Sequence, residues 1–210
     1  MNIETRGRPK SPAIQKRILT SAIRLFTEQG FSKTTIAQVS GDAGIAKQTI
    51  YSYFESKDDL FRAAIQAKCE QFAAAMELTS TRKCPRQSLT ELAENYMALV
   101  LSAESRGVYR NCIAEVERKP LVSRLFFEYG YQRVLADATR MMALLRDSGH
   151  LDILKPKIAA IQFLQMVQGE AKLRSELGIE PNWSPEEVRE YIRSCVELFI
   201  RGYMKSHVAR

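Results

Sequence analysis

Thr35-Ile36-Ala37-Gln38-Val39-Ser40-Gly41-Asp42-Ala43-Gly44-Ile45-Ala46-Lys47-Gln48-Thr49-Ile50-Tyr51-Ser52-Tyr53-Phe54 reads as two short helices folded about a glycine turn. Ile36, Val39 and Ala43 mark the inner face of the first helix, and Ile50 and Phe54 that of the second, with Ile45 at the join. Gly44 suits the turn because it takes a positive φ without a Cβ penalty. With Ile50 turned inward, Ala46, Lys47, Gln48, Thr49 and Tyr51 fall at the outer, N-terminal part of the second helix. That is the part a helix-turn-helix presents to base edges in the major groove. Lysine donates to guanine O6 and N7, and glutamine pairs adenine N6 and N7. Thr35 is placed to offer its hydroxyl and N–H to a phosphate, and Tyr53 and Lys57 to hold the DNA backbone. A solvated helical hairpin with ordinary surface residues is the plain alternative.

Upstream, Ser11-Pro12 supplies an N-cap and a proline at the first helical position. Ile14, Ile18, Ala22, Leu25 and Phe26 then share one helical face, and Gly30 is expected to stop the helix. Residues 1–10 form a basic arm with nothing to bury. Its Arg6, Arg8 and Lys10, set in Thr5-Arg6-Gly7-Arg8-Pro9-Lys10, suit a narrow and electronegative minor groove, and equally suit a solvated tail. Residues 1–54 hold eight basic side chains against three acidic ones, so five of the seven net positive charges lie in the first quarter of the chain. A helical adaptor that binds only protein does not explain that placement.

Other functions find little support. Cys69, Cys84, Cys112 and Cys195 are scattered, and His150 and His207 are the only imidazoles, so neither a zinc site nor a disulfide framework is expected. Reduced thiols in a cytoplasmic protein are the expectation. No apolar run reaches membrane-spanning length, and the first ten residues lack the apolar core of a secretion signal. There is no glycine-rich phosphate loop and no histidine paired in sequence with a nucleophile, so no cofactor and no enzymatic activity are expected.

Downstream the chain continues helix after helix. Ser56-Lys57-Asp58-Asp59 opens a fourth helix, a loop is expected over Thr79–Gln87, and Ser88-Leu89-Thr90-Glu91 is a capping box for a helix to about Ala103. Further helices are expected over Val108–Lys119, from Pro120 to Ser148 closed by Gly149, from Lys155-Pro156 to Gly178, and from Ser184-Pro185-Glu186-Glu187 to about Lys205. The expected fold is all-α. A flexible basic arm over 1–10 precedes a three-helix helix-turn-helix DNA-binding domain over 11–57, and a larger helical ligand-binding and dimerisation domain covers 58–210.

The run Ile18-Leu19-Thr20-Ser21-Ala22-Ile23-Arg24-Leu25-Phe26-Thr27-Glu28-Gln29-Gly30-Phe31, with Thr34-Thr35-Ile36 and the stretch Ala43 to Leu60, resembles the DNA-binding domain of the TetR family of bacterial transcriptional regulators. The likeness covers about residues 12–65. Thr35, Lys47, Gln48, Thr49, Tyr51, Tyr53 and Lys57 match that family's DNA contacts. Ala46 departs from the serine of many relatives and removes a side-chain cap; Gln48 departs from a common glycine and implies a different preferred base. Tyr109-Arg110-Asn111-Cys112-Ile113-Ala114-Glu115-Val116-Glu117-Arg118-Lys119-Pro120 resembles the AefR-like C-terminal group within that family. The resemblance implies a homodimeric repressor that binds a palindromic operator on double-stranded DNA and leaves it when a small apolar or amphipathic effector binds. A ligand-dependent activator, or a regulator that senses oxidants through a cysteine, is the alternative.

Two stripes are expected to build the dimer interface as a four-helix bundle: Ile161, Leu164, Gln165 and Gln168, with Tyr191, Cys195, Phe199 and Tyr203. The same stripes suit an internal core of one chain. Candidate effector-pocket residues are Tyr96, Met97, Val100, Cys112, Glu115, Phe126, Phe127, Met141, Met142, Leu145, Gln162, Phe163 and Met166. Methionines and aromatics line adaptable pockets and also fill ordinary cores. Glu115 suits a cationic ligand, or a surface pair with Arg110 or Arg118.

Overall fold

Pro12, at the first position of the first helix, begins a computed structural model that describes residues 11–77, 84–179 and 183–204 and is helical throughout them, without a strand. The order is α1 (Pro12–Lys33), α2 (Ile36–Ala43), α3 (Lys47–Tyr53), α4 (Lys57–Glu77), α5 (Pro85–Val100), α6 (Ala103–Ala114), α7 (Pro120–Phe126), a π segment (Phe127–Tyr131), α8 (Gln132–Asp147), α9 (Pro156–Glu176) and α10 (Pro185–Gly202). Helical backbone angles at Phe126, Phe127, Tyr131 and Gln132 make α7, the π segment and α8 one continuous rod.

Two cores hold these helices together. In the first, Ile18, Ala22 and Phe26 of α1 meet Ile36 and Val39 of α2, Ile50 of α3 and Phe54. The expected core residues Leu25 and Ile45 are only partly buried at its edge. Leu60, Phe61, Ala64 and Ile65 of α4 belong to the same core, as do Val108 and Cys112 of α6 and Val122 of α7. Phe61 stands edge-on to Phe26 and Phe31, with ring centroids 5.0 and 5.3 Å away. The second core joins α5, α8, α9 and α10 through Leu92, Met142, Phe163, Leu164, Val196 and Phe199, and receives Cys69 and Phe72 from the same α4. A division at residue 57 therefore does not fall at a break in packing, because α4 is shared.

Several helix ends differ from their expected places. Pro85, not Ser88, opens α5, and Ser88 is buried one turn inside it. The fixed φ of proline pre-forms the first turn and outweighs the hydroxyl cap. Ser102 caps α6 by accepting from the Ser105 N–H at 3.2 Å, so that helix starts five residues before Val108 and ends at Ala114. Gly30 kinks α1 rather than ending it, and Phe31–Lys33 add one more turn. At Gly169 (φ 48°) α9 breaks its ladder, and the Tyr191 O–H donates to the Met166 carbonyl at 2.7 Å. A Cβ at Gly169 would lie 2.4 Å from that hydroxyl, so the close crossing of α9 and α10 requires glycine. At Ser184 the cap and box form as the sequence reads: Ser184 Oγ accepts from the Glu187 N–H at 3.2 Å, and Glu187 accepts in return at 2.6 Å.

Candidate functional site

The turn between α2 and α3 is fixed by short local bonds. Gly44 adopts φ 61°, the Ser40 hydroxyl donates to the Ile45 carbonyl at 2.6 Å, and Arg17 donates to the Ala43 carbonyl at 2.7 Å. Ile50, with no exposed surface, sets the rotation of α3. That rotation leaves Ala46, Lys47, Gln48, Tyr51 and Ser52 exposed and Thr49 half-buried. Lys47 Nζ stands 5.8 Å from the Tyr51 ring, so a cation and a phenol share one outward patch. Ala46 gives α3 no side-chain cap.

The remaining candidate contacts are engaged within the protein. Thr35 caps α2: its Oγ1 accepts from the Gln38 N–H at 3.2 Å, and its own N–H donates to Gln38 Oε1 at 2.8 Å. The phosphate role read for Thr35 thus meets a backbone donor already taken. The Tyr53 hydroxyl accepts from the Ser11 N–H at 2.6 Å, tying the N-cap of α1 to the end of α3. Lys57 Nζ donates to the carbonyls of Phe31 and Thr34, both at 2.8 Å, and lies 4.3 Å from the Phe31 ring. It closes the C-terminal end of α1 instead of reaching outward. Desolvation lowers its pKa, with a smaller push from Lys119. Arg6, Arg8 and Lys10 lie outside the described residues.

A cavity of about 610 Å³ opens between α4, α5, α6, the π segment and α9. Tyr96, Val100, Cys112, Phe126 and Phe127 stand in its wall. Met97, Met141, Met142, Leu145 and Phe163 do not; they fill the second core, where α8 packs on α9. Glu115 is also elsewhere, accepting from the Ser32 N–H at 3.1 Å and the Ser32 hydroxyl at 2.6 Å. Gln162 accepts from the Tyr203 hydroxyl at 2.5 Å, and Met166 packs beside α10. Gln165 and Gln168, read as interface residues, line the cavity, where Gln168 donates to the Tyr96 hydroxyl. Lys68, Lys172, Glu104 and Glu176, which periodicity did not single out, line it too. Lys68 lies 3.6 Å from Glu104, and Lys172 pairs with Glu176 beneath the Tyr109 ring. These i+4 and cross-helix charge pairs were the available signal.

The rest of the dimer stripe is likewise internal. Leu164 has no exposed surface, and Cys195 and Phe199 are buried in the second core. Tyr191 is tied to Met166, while Ile161 and Tyr203 pack partly buried against that core. Within the protomer these faces of α9 and α10 pack against the second core, and Ile161, Tyr191 and Tyr203 keep part of their surface open. Outward on these helices are the exposed side chains Ile158 and Leu198.

Burial pushes the Cys112 thiol up to about 12 and that of Cys69 to about 11. A thiol so placed holds its proton at neutral pH and is a weaker nucleophile than an exposed one. Among the described residues no group of His, Cys, Asp and Glu could hold a metal ion, and no helix is long and apolar enough to cross a membrane.

One helix joins the cavity to α1. α6 contributes Val108 and Cys112 to the cavity wall, while its Asn111 donates to the carbonyls of Phe26 and Thr27, each at 3.0 Å. Gly107 lies so close to α1 that a Cβ there would stand 2.5 Å from Thr27 Cγ2.

Comparison with known proteins agrees with this arrangement. Residues 18–64 match the tetR family of bacterial regulatory proteins, and residues 87–205 match the C-terminal domain of AefR-like transcriptional repressors. The chain is 26% identical over 201 residues to the HTH-type transcriptional regulator AcrR of Shigella flexneri, covering 89% of each. It is 27% identical over 112 residues to TcmR of Streptomyces glaucescens, spanning half the length of each. Among solved structures, a TetR-family regulator from Mesorhizobium loti superposes with TM-score 0.80 at 23% identity, over 94% of this chain and all of that one. The flavonoid-responsive regulator FrrA gives 0.72 at 26% identity over 93% of this chain and all of its own. FadR of Bacillus subtilis, solved with stearoyl-CoA, gives 0.67 at 17% identity over 89% and 98% of the two chains. With matches to both halves, the chain belongs to the TetR family of bacterial transcriptional regulators, with a C-terminal domain of the AefR-like group.

Proposed function

We propose that this DNA-binding regulator is a homodimeric repressor, working in the cytoplasm, that holds a palindromic operator and lets go when a small apolar or amphipathic molecule fills the cavity. The observation that carries this is the double duty of α6, which walls the cavity and is bonded to the end of α1 through Asn111 and Glu115. A ligand that displaces α6 displaces α1, and with it the core on which α3 rests. FrrA is named for its response to flavonoids and FadR was solved with an acyl-CoA, and the apolar wall of this cavity suits effectors of comparable bulk. For the dimer, Leu154, Ile158, Leu198 and Met204 offer exposed apolar surface near the ends of α9 and α10 that the Tyr203–Gln162 bond brings together. Two copies of α3 about one DNA turn apart, roughly 34–36 Å, would read the two half-sites.

Selection of genomic fragments by the purified protein tests the reading. A single inverted-repeat sequence is expected, bound by the wild type and lost in Lys47→Ala and Tyr51→Ala at unchanged melting temperature. Wild-type affinity in both variants would refute the assigned face of α3.

A further inference from the structure

Of the four cations in the cavity wall, Arg106 and Arg110 have no carboxylate partner among the described residues, and Arg110 is exposed to solvent. Lys68 has Glu104 at 3.6 Å, and Lys172 is paired with Glu176. Arg106, on α6 and lining the same cavity, has a buried Nε with no hydrogen-bond partner, and no carboxylate pairs with it among the described residues. A guanidinium stays charged in any protein environment, and a buried N–H of a charged group left unmet has lost its water for nothing in return, which is costly. A fold accepts that cost where a ligand supplies the missing acceptor.

We infer that the effector is an organic anion: a carboxylate seated on Arg106, with an apolar or aromatic body lying along Val100, Phe126, Phe127 and Val134. The guanidinium fork matches a carboxylate's two oxygens, which fixes the head group. An alcohol leaves the charge unanswered, and an ammonium adds a second positive charge beside it. At about 610 Å³ the cavity is of the size that encloses drug-sized ligands, so the body must be substantial. This assignment of the ligand's class rests on the reading of the cavity as the effector site.

Three probes that differ only in their head group separate the two ideas: 8-phenyloctanoate, 8-phenyloctan-1-ol and 8-phenyloctylamine, titrated calorimetrically into the full-length protein. The wild type is expected to bind the carboxylate at least about tenfold more tightly than the alcohol, the equivalent of one charge-assisted hydrogen bond, and to bind the amine least. Arg106→Gln is expected to bind carboxylate and alcohol alike, with alcohol affinity unchanged. Val100→Trp, which fills the cavity from α5, is expected to abolish all binding; circular dichroism melting verifies that both variants are folded. Equal affinity of the wild type for carboxylate and alcohol, or a carboxylate preference surviving in Arg106→Gln, would overturn the anion assignment. If the alcohol or amine binds best and Val100→Trp blocks it, the cavity reading stands while the anion assignment falls. Binding that Val100→Trp leaves intact, or no binding of any probe to the wild type, overturns both.

Discussion

The side-chain amide of Asn111 donates to the backbone carbonyl of Thr27 at 3.0 Å, across 84 positions of sequence. A second bond of the same length reaches Phe26. Both carbonyls precede the kink at Gly30, whose φ of 82° takes the chain off the regular helical ladder. Asn111 therefore supplies donors to α1 from the cavity-lining helix at the place where α1 is least able to supply its own.

Replacing that amide has two readouts. Asn111→Ala is expected to lower stability to urea by about 1–2 kcal/mol, since buried carbonyls lose their donor. It is also expected to shrink the factor by which an effector weakens operator binding, while effector affinity itself changes little. An effector response equal to wild type would show that α6 and α1 communicate by another route.

Where α9 and α10 cross, the Tyr191 hydroxyl takes the place of a helical N–H on the Met166 carbonyl. Tyr191→Phe leaves that carbonyl without its short bond and is expected to cost about 1–2 kcal/mol in chemical unfolding. Gly169→Ala should cost more, because the new Cβ meets the Tyr191 ring as well as its hydroxyl, and φ 48° strains any L-residue. If Gly169→Ala were neutral, the crossing would have to be looser than this geometry allows.

Alkaline pH acts through the buried thiols. Cys112 is raised from 9.0 to about 12 and Cys69 to about 11, so above pH 9 the unfolded chain releases protons that the folded one keeps. The stability tied to each thiol is complete below 9.0 and declines as pH climbs toward its folded value, by up to about 1.4 kcal/mol per pH unit per group. Lys57, lowered from 10.5 by desolvation, has the opposite sign: its contribution improves as pH rises from its folded value toward 10.5. Cys112→Ala is therefore expected to flatten the loss of urea stability across this range. An unchanged slope would mean that this thiol titrates normally. At about pH 8 a thiol reagent should modify the exposed Cys84 first.

Local chemistry made much of this molecule legible. Ile50 and Phe54 fix the rotation of α3, so the outward placement of Lys47, Gln48 and Tyr51 follows from periodicity alone. Thr35 and Gln38 stand in capping-box spacing, a signal that reserves Thr35 for α2 and was open to reading in the chain. What periodicity does not carry is the identity of the neighbour. Leu164, Cys195 and Phe199 sit on inward faces, yet a stripe cannot declare whether a partner subunit or the same chain will cover it. Gln165 and Gln168 illustrate the converse, since polar residues beside an apolar stripe turned out to line a cavity. Near Pro85 two start signals competed within four residues, and the one that restricts the backbone prevailed.

Because α4 gives Leu60 and Phe61 to one core and Cys69 and Phe72 to the other, the DNA-reading segment has no seam at which it can be lifted away. Anyone grafting this specificity onto another sensor would need to transplant α4 whole, together with an α6 surface shaped for Thr27 and Ser32. Exchange among such regulators would then proceed by matched halves of a continuous lever, and a junction placed ahead of residue 57 would sever its fulcrum.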